Sequence, residues 1–342
     1  MKVTYFYRPR STFAFSIEGV FSIIKDAMKG RISYIDYYCT NKWKRLYSLT
    51  DAWKYQSDIN HITGDAHFLA LGLKGSKTIL TVHDMAHFER KLTGLRKQLF
   101  RLFWFQLPIS HVQAVTTISE FTKQKLLEYT SVSPDKIRVI YNPAPDFKAN
   151  VKPFRAVKQK ILQVGSGSNK NIYRLIEAVT GLDYHLILVR RKDIKLETLL
   201  REKNISYEWY QNLSKEEIYN CYVDCDIVYF ASEYEGFGVP ILEGNAVGRC
   251  VITSNVTSMP EVAGDSALIV DPFNVLEIRN AILKITEDAV LREDLIKKGF
   301  ENLKRFSPEV IAAEYYDLYT EIHNKGDKQV PVSGIMTASS AN

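Results

Sequence analysis

Short apolar runs alternate with amphipathic segments along this chain, and the alternation breaks once. Candidate strands in the first half are Val3–Tyr7, Ser33–Tyr37, Ile59–Ile62, Thr78–Val82, Ala114–Ile118 and Ile137–Tyr141. Helical periodicity fills the gaps, as in Ser16–Met28 and Glu120–Tyr129. This rhythm demands parallel sheets with helices on both faces. It stops at YNPAPDFKANVKPFR (Tyr141–Arg155), whose prolines and mixed charge read as an interdomain linker. It then restarts with Ile161–Val164, His185–Val189, Tyr207–Tyr210, Ile227–Phe230, Cys250–Thr253 and Ala267–Val270. From Asn274 to about His323 the chain reads as successive helices, and Ser307-Pro308 carries a helix start. The expectation is an α/β protein of two doubly wound domains, 1–150 and 151–306. A helix over 307–324 and a frayed polar tail over 325–342 follow. A length of 342 residues suits two domains.

Charge divides with the domains. Residues 1–150 carry 22 Lys and Arg against 12 Asp and Glu, and the remainder carries 23 against 27. The basic half suits an anionic partner or serves solubility alone. Four irregularly spaced cysteines imply a reducing compartment rather than a disulfide framework. Cys221 and Cys225 lack neighbouring ligands and read as small buried residues, so no metal is expected. The start MKVTYFYRPR has no leader-like pattern, and no apolar run is long enough to span a bilayer. A cytoplasmic protein is expected, with peripheral contact at the inner membrane face as an option. GxGxxG after the first strand and a Walker A loop are both absent, which disfavours a dinucleotide dehydrogenase or a P-loop enzyme.

The most informative stretch is SEYEGFGVPILEGNAVG, Ser232–Gly248. It follows a strand and enters a helix, with Pro240 suited to the first turn. Gly236 and Gly238 let backbone approach a ligand closely. Free amides at the helix start favour an anion. Glu235 and Glu243 would repel a bare phosphate but accept hydrogen bonds from hydroxyls. A sugar joined to a nucleoside diphosphate satisfies both halves of the segment, and a capped surface loop is the plainer alternative.

The segment resembles the signature of retaining glycosyltransferase family 4, two glutamates within EGFG-x-P-x-x-E. The flanking NLSKEEIYNCYVDCDIVYFAS and GRCVITSNVTSMPEVAGDSALIVDP resemble the family too, as do TVHD, TTISEFTK, KIRVIYNP and VGSGSNKN more weakly. The resemblance implies the GT-B fold, two Rossmann-like domains facing across a cleft. The second binds the donor, and the helix over 307–324 packs back toward the first.

It also implies roles. Glu235 would contact the donor sugar, Glu243 the ribose, and Gly236, Phe237, Gly238 and Val239 the sugar and diphosphate. Lys170, with Gly165 and Ser166 before it, would neutralise the diphosphate, where leaving-group charge develops. Relatives often carry an arginine soon after this strand's glycine, whereas here Gly165 is followed by Ser166 with no arginine before Lys170, and Arg190 or Arg191 are candidates to compensate. His83 would face the donor sugar across the cleft, orienting it or stabilising charge, unless it is a satisfied structural histidine. His61 and His67 are second-rank candidates. On the acceptor side, Arg8, Arg10, Ser16 and Glu18 line a pocket or form a surface loop.

In Arg90–Pro108, Arg90, Lys97 and Arg101 fall near one helical face, with Leu95, Leu99, Phe103 and Trp104 as the apolar body. Periodicity favours a helix packed on the sheet with a basic solvent face, and contact with anionic membrane is the alternative. The resulting reading is a retaining hexosyltransferase using a nucleoside-diphosphate sugar, GDP-mannose ahead of UDP-sugars. The acceptor is a glycan or lipid-linked molecule in cell-surface polysaccharide or lipopolysaccharide synthesis. No cofactor and no nucleic-acid partner are expected. The alternatives are a catalytically silent partner subunit of the same fold or another sugar-nucleotide enzyme such as an epimerase.

Overall fold

The computed structural model describes residues 1–9, 16–40 and 45–327. The first domain contains strands β1 (Lys2–Tyr7), β2 (Ser33–Tyr38), β3 (Ile59–Ile62), β4 (Thr78–Val82), β5 (Ala114–Thr117) and β6 (Ile137–Val139). The second contains β7 (Lys160–Val164), β8 (His185–Val189), β9 (Ser206–Tyr210), β10 (Ile227–Phe230), β11 (Cys250–Ser254) and β12 (Ala267–Val270). Every pairing is parallel. Near-continuous burial along β3, β4, β5, β10 and β11 follows, because helices cover both faces.

The sheets differ in strand order. The second runs β12-β11-β10-β7-β8-β9, so its order reverses between β7 and β10. The first runs β2-β1-β3-β4-β5-β6 and reverses between β1 and β3. Loops leaving the carboxyl ends at such a reversal diverge to opposite faces and open a crevice.

The Tyr141–Arg155 segment is extended and tied to the second domain. Arg155 donates to Asp224 Oδ1 at 2.6 Å and to Asp226 Oδ2 at 2.8 Å. The two aspartates thus clamp the linker at the amino ends of the strands, away from the cleft. Helix Pro308–Asp327 packs Tyr315, Leu318, Tyr319 and Ile322 against Tyr5, Phe21 and Ile24 of the first domain. It continues past Lys325, where the tail was expected to begin, and a Lys325–Glu321 ion pair of 2.7 Å closes its last turns. The rest of the predicted tail, 328–342, lies outside the described residues.

Residues 94–111 form one continuous helix through a π-helical middle, Arg101–Gln106. Here the sequence reading holds for Trp104 and needs correction for its neighbours. Trp104 turns inward, stacking on His67 and Phe100 with centroids 5.2 and 5.5 Å apart. Lys97 lies over the Phe88 and Tyr129 rings at 4.8 and 5.3 Å rather than among the solvent cations. Leu95, Leu99 and Phe103, read as part of the packed apolar body, are instead exposed together with Leu102 and Leu107, because the helix is apolar on two sides, so its outer face is not simply basic. No helix among the described residues is long and apolar enough to cross a membrane, and none of their His, Cys, Asp and Glu groups forms a metal cluster.

Candidate active site

Glu235 sits in the loop leaving β10, beside the strand reversal. Lys170 reaches it from the loop after β7, Nζ to Oε1 2.6 Å. The route is narrow: a Cβ on Gly165 would lie 2.6 Å from Lys170 Cε. Gly165 also has φ +106°, so glycine is required there on two grounds. Asn169 adds a second donor, Nδ2 to Glu235 Oε1 at 2.9 Å. Asn171, buried and left-handed at φ 54°, fixes the loop by donating to the carbonyls of Ala231 and Pro272 at 3.1 and 2.6 Å. Neither asparagine was singled out from sequence, although NKN brackets Lys170.

The turn after Glu235 presents backbone. Gly238 has φ 135° and precedes helix Val239–Val247, with Pro240 in its first turn. The amides of Gly236, Phe237 and Gly238 have no hydrogen-bond acceptor among the described residues. Unpaired amides at a helix start form an anion site. The Phe237 ring does not face the cleft. It is buried between Tyr141 and Phe306, with centroids 6.2 and 5.7 Å away, and Val239 packs into the same apolar cluster. Glu243 accepts a 2.5 Å hydrogen bond from Tyr222. Burial raises its pKa, against the hydrogen bond and the Lys170 charge.

Ser166 Oγ accepts from the Arg191 amide at 2.7 Å, joining the β7 and β8 loops. Arg190 is only 7% exposed, and its guanidinium reaches Gln163 Oε1 at 3.3 Å. Its Nε has no acceptor among the described residues, and burial lowers its pKa. The Gln163 amide in turn donates to the carbonyls of Val164 and Gly165 at 3.0 and 3.2 Å. A buried cation that forms no ion pair among the described residues therefore stands behind the Gly165 loop.

In the first domain, His83 follows β4. Its Nε2 lies 2.6 Å from the Thr63 carbonyl, so Nε2 carries the proton and Nδ1 is left to accept. Burial lowers its pKa, so the ring is neutral near pH 7 and orients by hydrogen bonding rather than by charge. Gly64 makes room for it, since a Cβ there would fall 2.4 Å from His83 Cδ2. Arg8, after β1, pairs with Asp65 at 2.8 Å and Glu18 at 3.4 Å. Arg8, Glu18, Asp65 and His83 thus gather at the strand reversal of the first sheet. Ser16 begins the helix Ser16–Ala27, but its side chain, like all of Arg10, lies outside the described residues.

His61 and His67 are not brought to the site. His61 is buried between Tyr319 Oη at 2.6 Å and Thr81 Oγ1 at 2.7 Å, which couples the last helix to the sheet. His67 Nδ1 lies 2.8 Å from the Trp104 carbonyl. Both are core residues.

The two faces touch at Gly236. Its ideal Cβ would lie 2.1 Å from the His83 carbonyl oxygen, and its own carbonyl accepts from Ser119 Oγ at 2.7 Å. Around this point Tyr234 donates to Glu89, Arg90 pairs with Glu233 at 3.0 Å, and Glu261 accepts from the Glu120 amide at 2.7 Å. An ion pair, a tyrosine–carboxylate hydrogen bond and a helix N-terminus thus hold the domains closed over the Lys170–Glu235 cluster.

The model for glycosyl transferases group 1 matches residues 146–302, and that for Glycosyltransferase Family 4 matches 27–145. The chain belongs to this glycosyltransferase family. The boundary between the two matches falls inside the Tyr141–Arg155 linker. This glycosyltransferase is 26% identical to O-antigen chain mannosyltransferase B of Escherichia coli over 306 residues, 81% of this chain and 78% of that one. It is 28% identical over 246 residues to the serotype-specific mannosyltransferase WbdA of Escherichia coli, covering 64% of this chain but only 30% of WbdA. Its fold is GT-B. The sucrose-phosphate synthase of Thermosynechococcus elongatus superposes with TM-score 0.76 over 95% of this chain and 100% of that one, at 16% identity.

Proposed function

We propose that this glycosyltransferase moves a mannosyl group from GDP-mannose, with retention at the anomeric carbon. The acceptor is a glycan or lipid-linked molecule in lipopolysaccharide or other cell-surface polysaccharide assembly. The supporting observation is the Lys170–Glu235 pair set against the unpaired amides of Gly236–Gly238. Cation and amides receive a diphosphate, and carboxylates receive hydroxyls. The mannosyltransferases among its relatives support mannose over other hexoses.

In this reading the diphosphate takes Lys170 as its counterion, and Glu235 turns its oxygens to the sugar hydroxyls. Glu243 holds the ribose with the oxygen that Tyr222 leaves open. His83 Nδ1 accepts from a sugar hydroxyl across the cleft. The bond from the anomeric carbon to the β-phosphate oxygen breaks as Lys170 and the loop amides stabilise the developing negative charge. The acceptor oxygen bonds that carbon on the same face, and its proton passes to the departing phosphate. The closed domains exclude water and limit hydrolysis. The mechanism requires no metal or further cofactor.

Thermal shifts with GDP, UDP, ADP and their sugar conjugates test the donor. A ligand at 100 times its dissociation constant adds about 2.7 kcal/mol of stability. GDP-mannose is expected to stabilise most, with the shift lost in Glu243→Ala. A dominant UDP-sugar response overturns the donor, and an inverted anomeric product overturns retention.

A further inference from the structure

We propose that a cavity at the amino ends of the second sheet is a regulatory site for a small organic anion, an acidic head on an apolar body. The cavity, about 370 Å³, lies between the interdomain linker, the starts of β10 and β11, and helix Ala289–Leu303. Close-packed protein rarely leaves such a space, and its size falls within the range of small-molecule sites. The length of β10, about 13 Å at 3.3 Å per residue, separates it from the loop that carries Glu235.

Its wall is polar and incompletely satisfied. Asp226 and Arg249 both line it, and each is 3% exposed. Asp226 Oδ2 accepts from Arg155 and from the Lys160 amide, both at 2.8 Å. Its Oδ1 has no hydrogen-bond partner among the described residues, with Lys152 Nζ standing 3.7 Å away. The terminal nitrogens of Arg249 donate to the carbonyls of Asn150 at 2.8 Å and Val223 at 2.7 Å, while its Nε donates to nothing among the described residues. Buried polar atoms left in this way are costly until something pairs them.

Charge selects an anion. Lys152, Arg249 and Arg292 line the cavity with Asp226 and Glu293. Arg155 answers the Asp226 charge from outside the cavity, so three cations are set against one remaining carboxylate. Helix Ala289–Leu303 begins at the cavity, and a helix start favours negative charge. Val151, Phe154 and Ile296 make the rest of the wall apolar, with the Arg292 guanidinium 4.3 Å over the Phe154 ring. A bare phosphate would leave those carbons uncovered, so the head needs an apolar body.

Occupancy reaches the donor site through one helix. Gly248 and Arg249 follow helix Val239–Val247, which starts at the Gly236–Gly238 turn and carries Glu243. The linker is fastened to the same helix end. The Asn150 amide donates to the Val247 carbonyl at 3.2 Å, and a Cβ on Gly248 would lie 2.9 Å from Val151 Cγ2. A ligand wedged here braces linker and helix in the arrangement of the closed domains. It therefore tightens nucleotide binding, and the nucleotide tightens the ligand in return.

Phenyl phosphate is the probe, with phenol and inorganic phosphate as its two halves. Each is titrated calorimetrically into the full chain saturated with GDP or UDP, whichever stabilises it more. That choice makes the result independent of the donor assignment, and saturation blocks the diphosphate site. Phenyl phosphate should bind more tightly than either half and raise nucleotide affinity about fivefold or more. Ala289→Trp fills the cavity from an exposed position and should abolish binding, while Lys152→Gln removes a cation and should weaken it. An unchanged melting temperature and nucleotide affinity without the probe will establish that the variants fold. No binding at millimolar phenyl phosphate overturns the proposal, as does binding that survives Ala289→Trp. Binding that leaves nucleotide affinity unchanged overturns the regulatory role.

Discussion

Lys170 Nζ lies 2.6 Å from Glu235 Oε1, across a gap that exists because residue 165 has no side chain. The pair joins two loops at the point where the second sheet reverses its strand order, and neither residue reaches the other by sequence proximity. Removing the Lys170 charge leaves the donor diphosphate without its nearest cation. Lys170→Met should lower kcat/KM by about 100-fold or more, since a charge aimed at a developing oxyanion contributes about 3–4 kcal/mol. Gly165→Ala should act on the same pair indirectly. The new Cβ displaces the lysine stem and strains a positive φ, so donor affinity and melting temperature fall together. A Gly165→Ala enzyme with unchanged donor affinity would contradict this.

Gly236→Ala separates closure from local chemistry. The methyl group collides with the His83 carbonyl oxygen, 2.1 Å from the ideal Cβ position. The contact lies between domains, so relief comes from opening the cleft rather than from unfolding either domain. The expected result is a loss of activity of at least about tenfold, with a larger radius of gyration by small-angle scattering. The melting temperature should move little. A fully active, equally compact variant would show that the Gly236–His83 contact is dispensable.

Three neutral histidines make the first domain acid-sensitive. Burial lowers the pKa of His61 to about 3 and of His67 to about 4, and lowers that of His83. Unfolded histidine titrates near 6.5, so below that pH the unfolded chain binds protons that the folded chain refuses. Stability is fully present above about pH 6.5 and is lost as pH falls toward 4. Each histidine contributes a slope of about 1.4 kcal/mol per pH unit. Urea melts between pH 7.5 and 5 will read this slope. His61→Phe should flatten it while destabilising the protein through the lost Tyr319 and Thr81 contacts.

All twelve strands were legible in the sequence: the central ones are short apolar runs that a sheet covered on both faces demands, and the edge strands β2 and β9 stand out by their aromatic residues instead. The site was legible where it is local: Glu235, the glycine turn and Pro240 lie within six residues. What connects the domains was not. Tyr234 and Glu89, or Glu261 and the Glu120 amide, lie more than 140 residues apart, and no periodicity marks them. Histidines at strand ends were ambiguous for a related reason. Sequence places His61 near the end of one strand and His83 just after another, and the Thr81 hydroxyl with the docking of helix Pro308–Asp327 assigns the first to the core. Periodicity misjudged the 94–111 helix, because it is apolar on two sides: of the four residues read as the packed body, Leu95, Leu99 and Phe103 are exposed and only Trp104 packs inward.

Arg190 offers a sharper test of how this chain manages without an arginine between Gly165 and Lys170. Its guanidinium is buried, and among the described residues it forms no ion pair and its Nε lacks an acceptor. Such a group destabilises the unliganded fold, because its lost hydration is repaid, among the described residues, by little more than a Gln163 hydrogen bond and the Asp193 charge. It is useful if its charge acts on a diphosphate held by the loop that Gln163 supports. Arg190→Met removes the charge and keeps most of the volume. The unliganded protein should then gain about 1 kcal/mol or more in stability, while nucleoside diphosphate affinity falls about tenfold. Affinity for the uncharged nucleoside should stay the same. A structural arginine would behave oppositely, destabilising the protein on replacement and leaving the diphosphate-to-nucleoside affinity ratio untouched. Calorimetric titrations of both ligands, paired with melting curves of the two proteins, separate these outcomes.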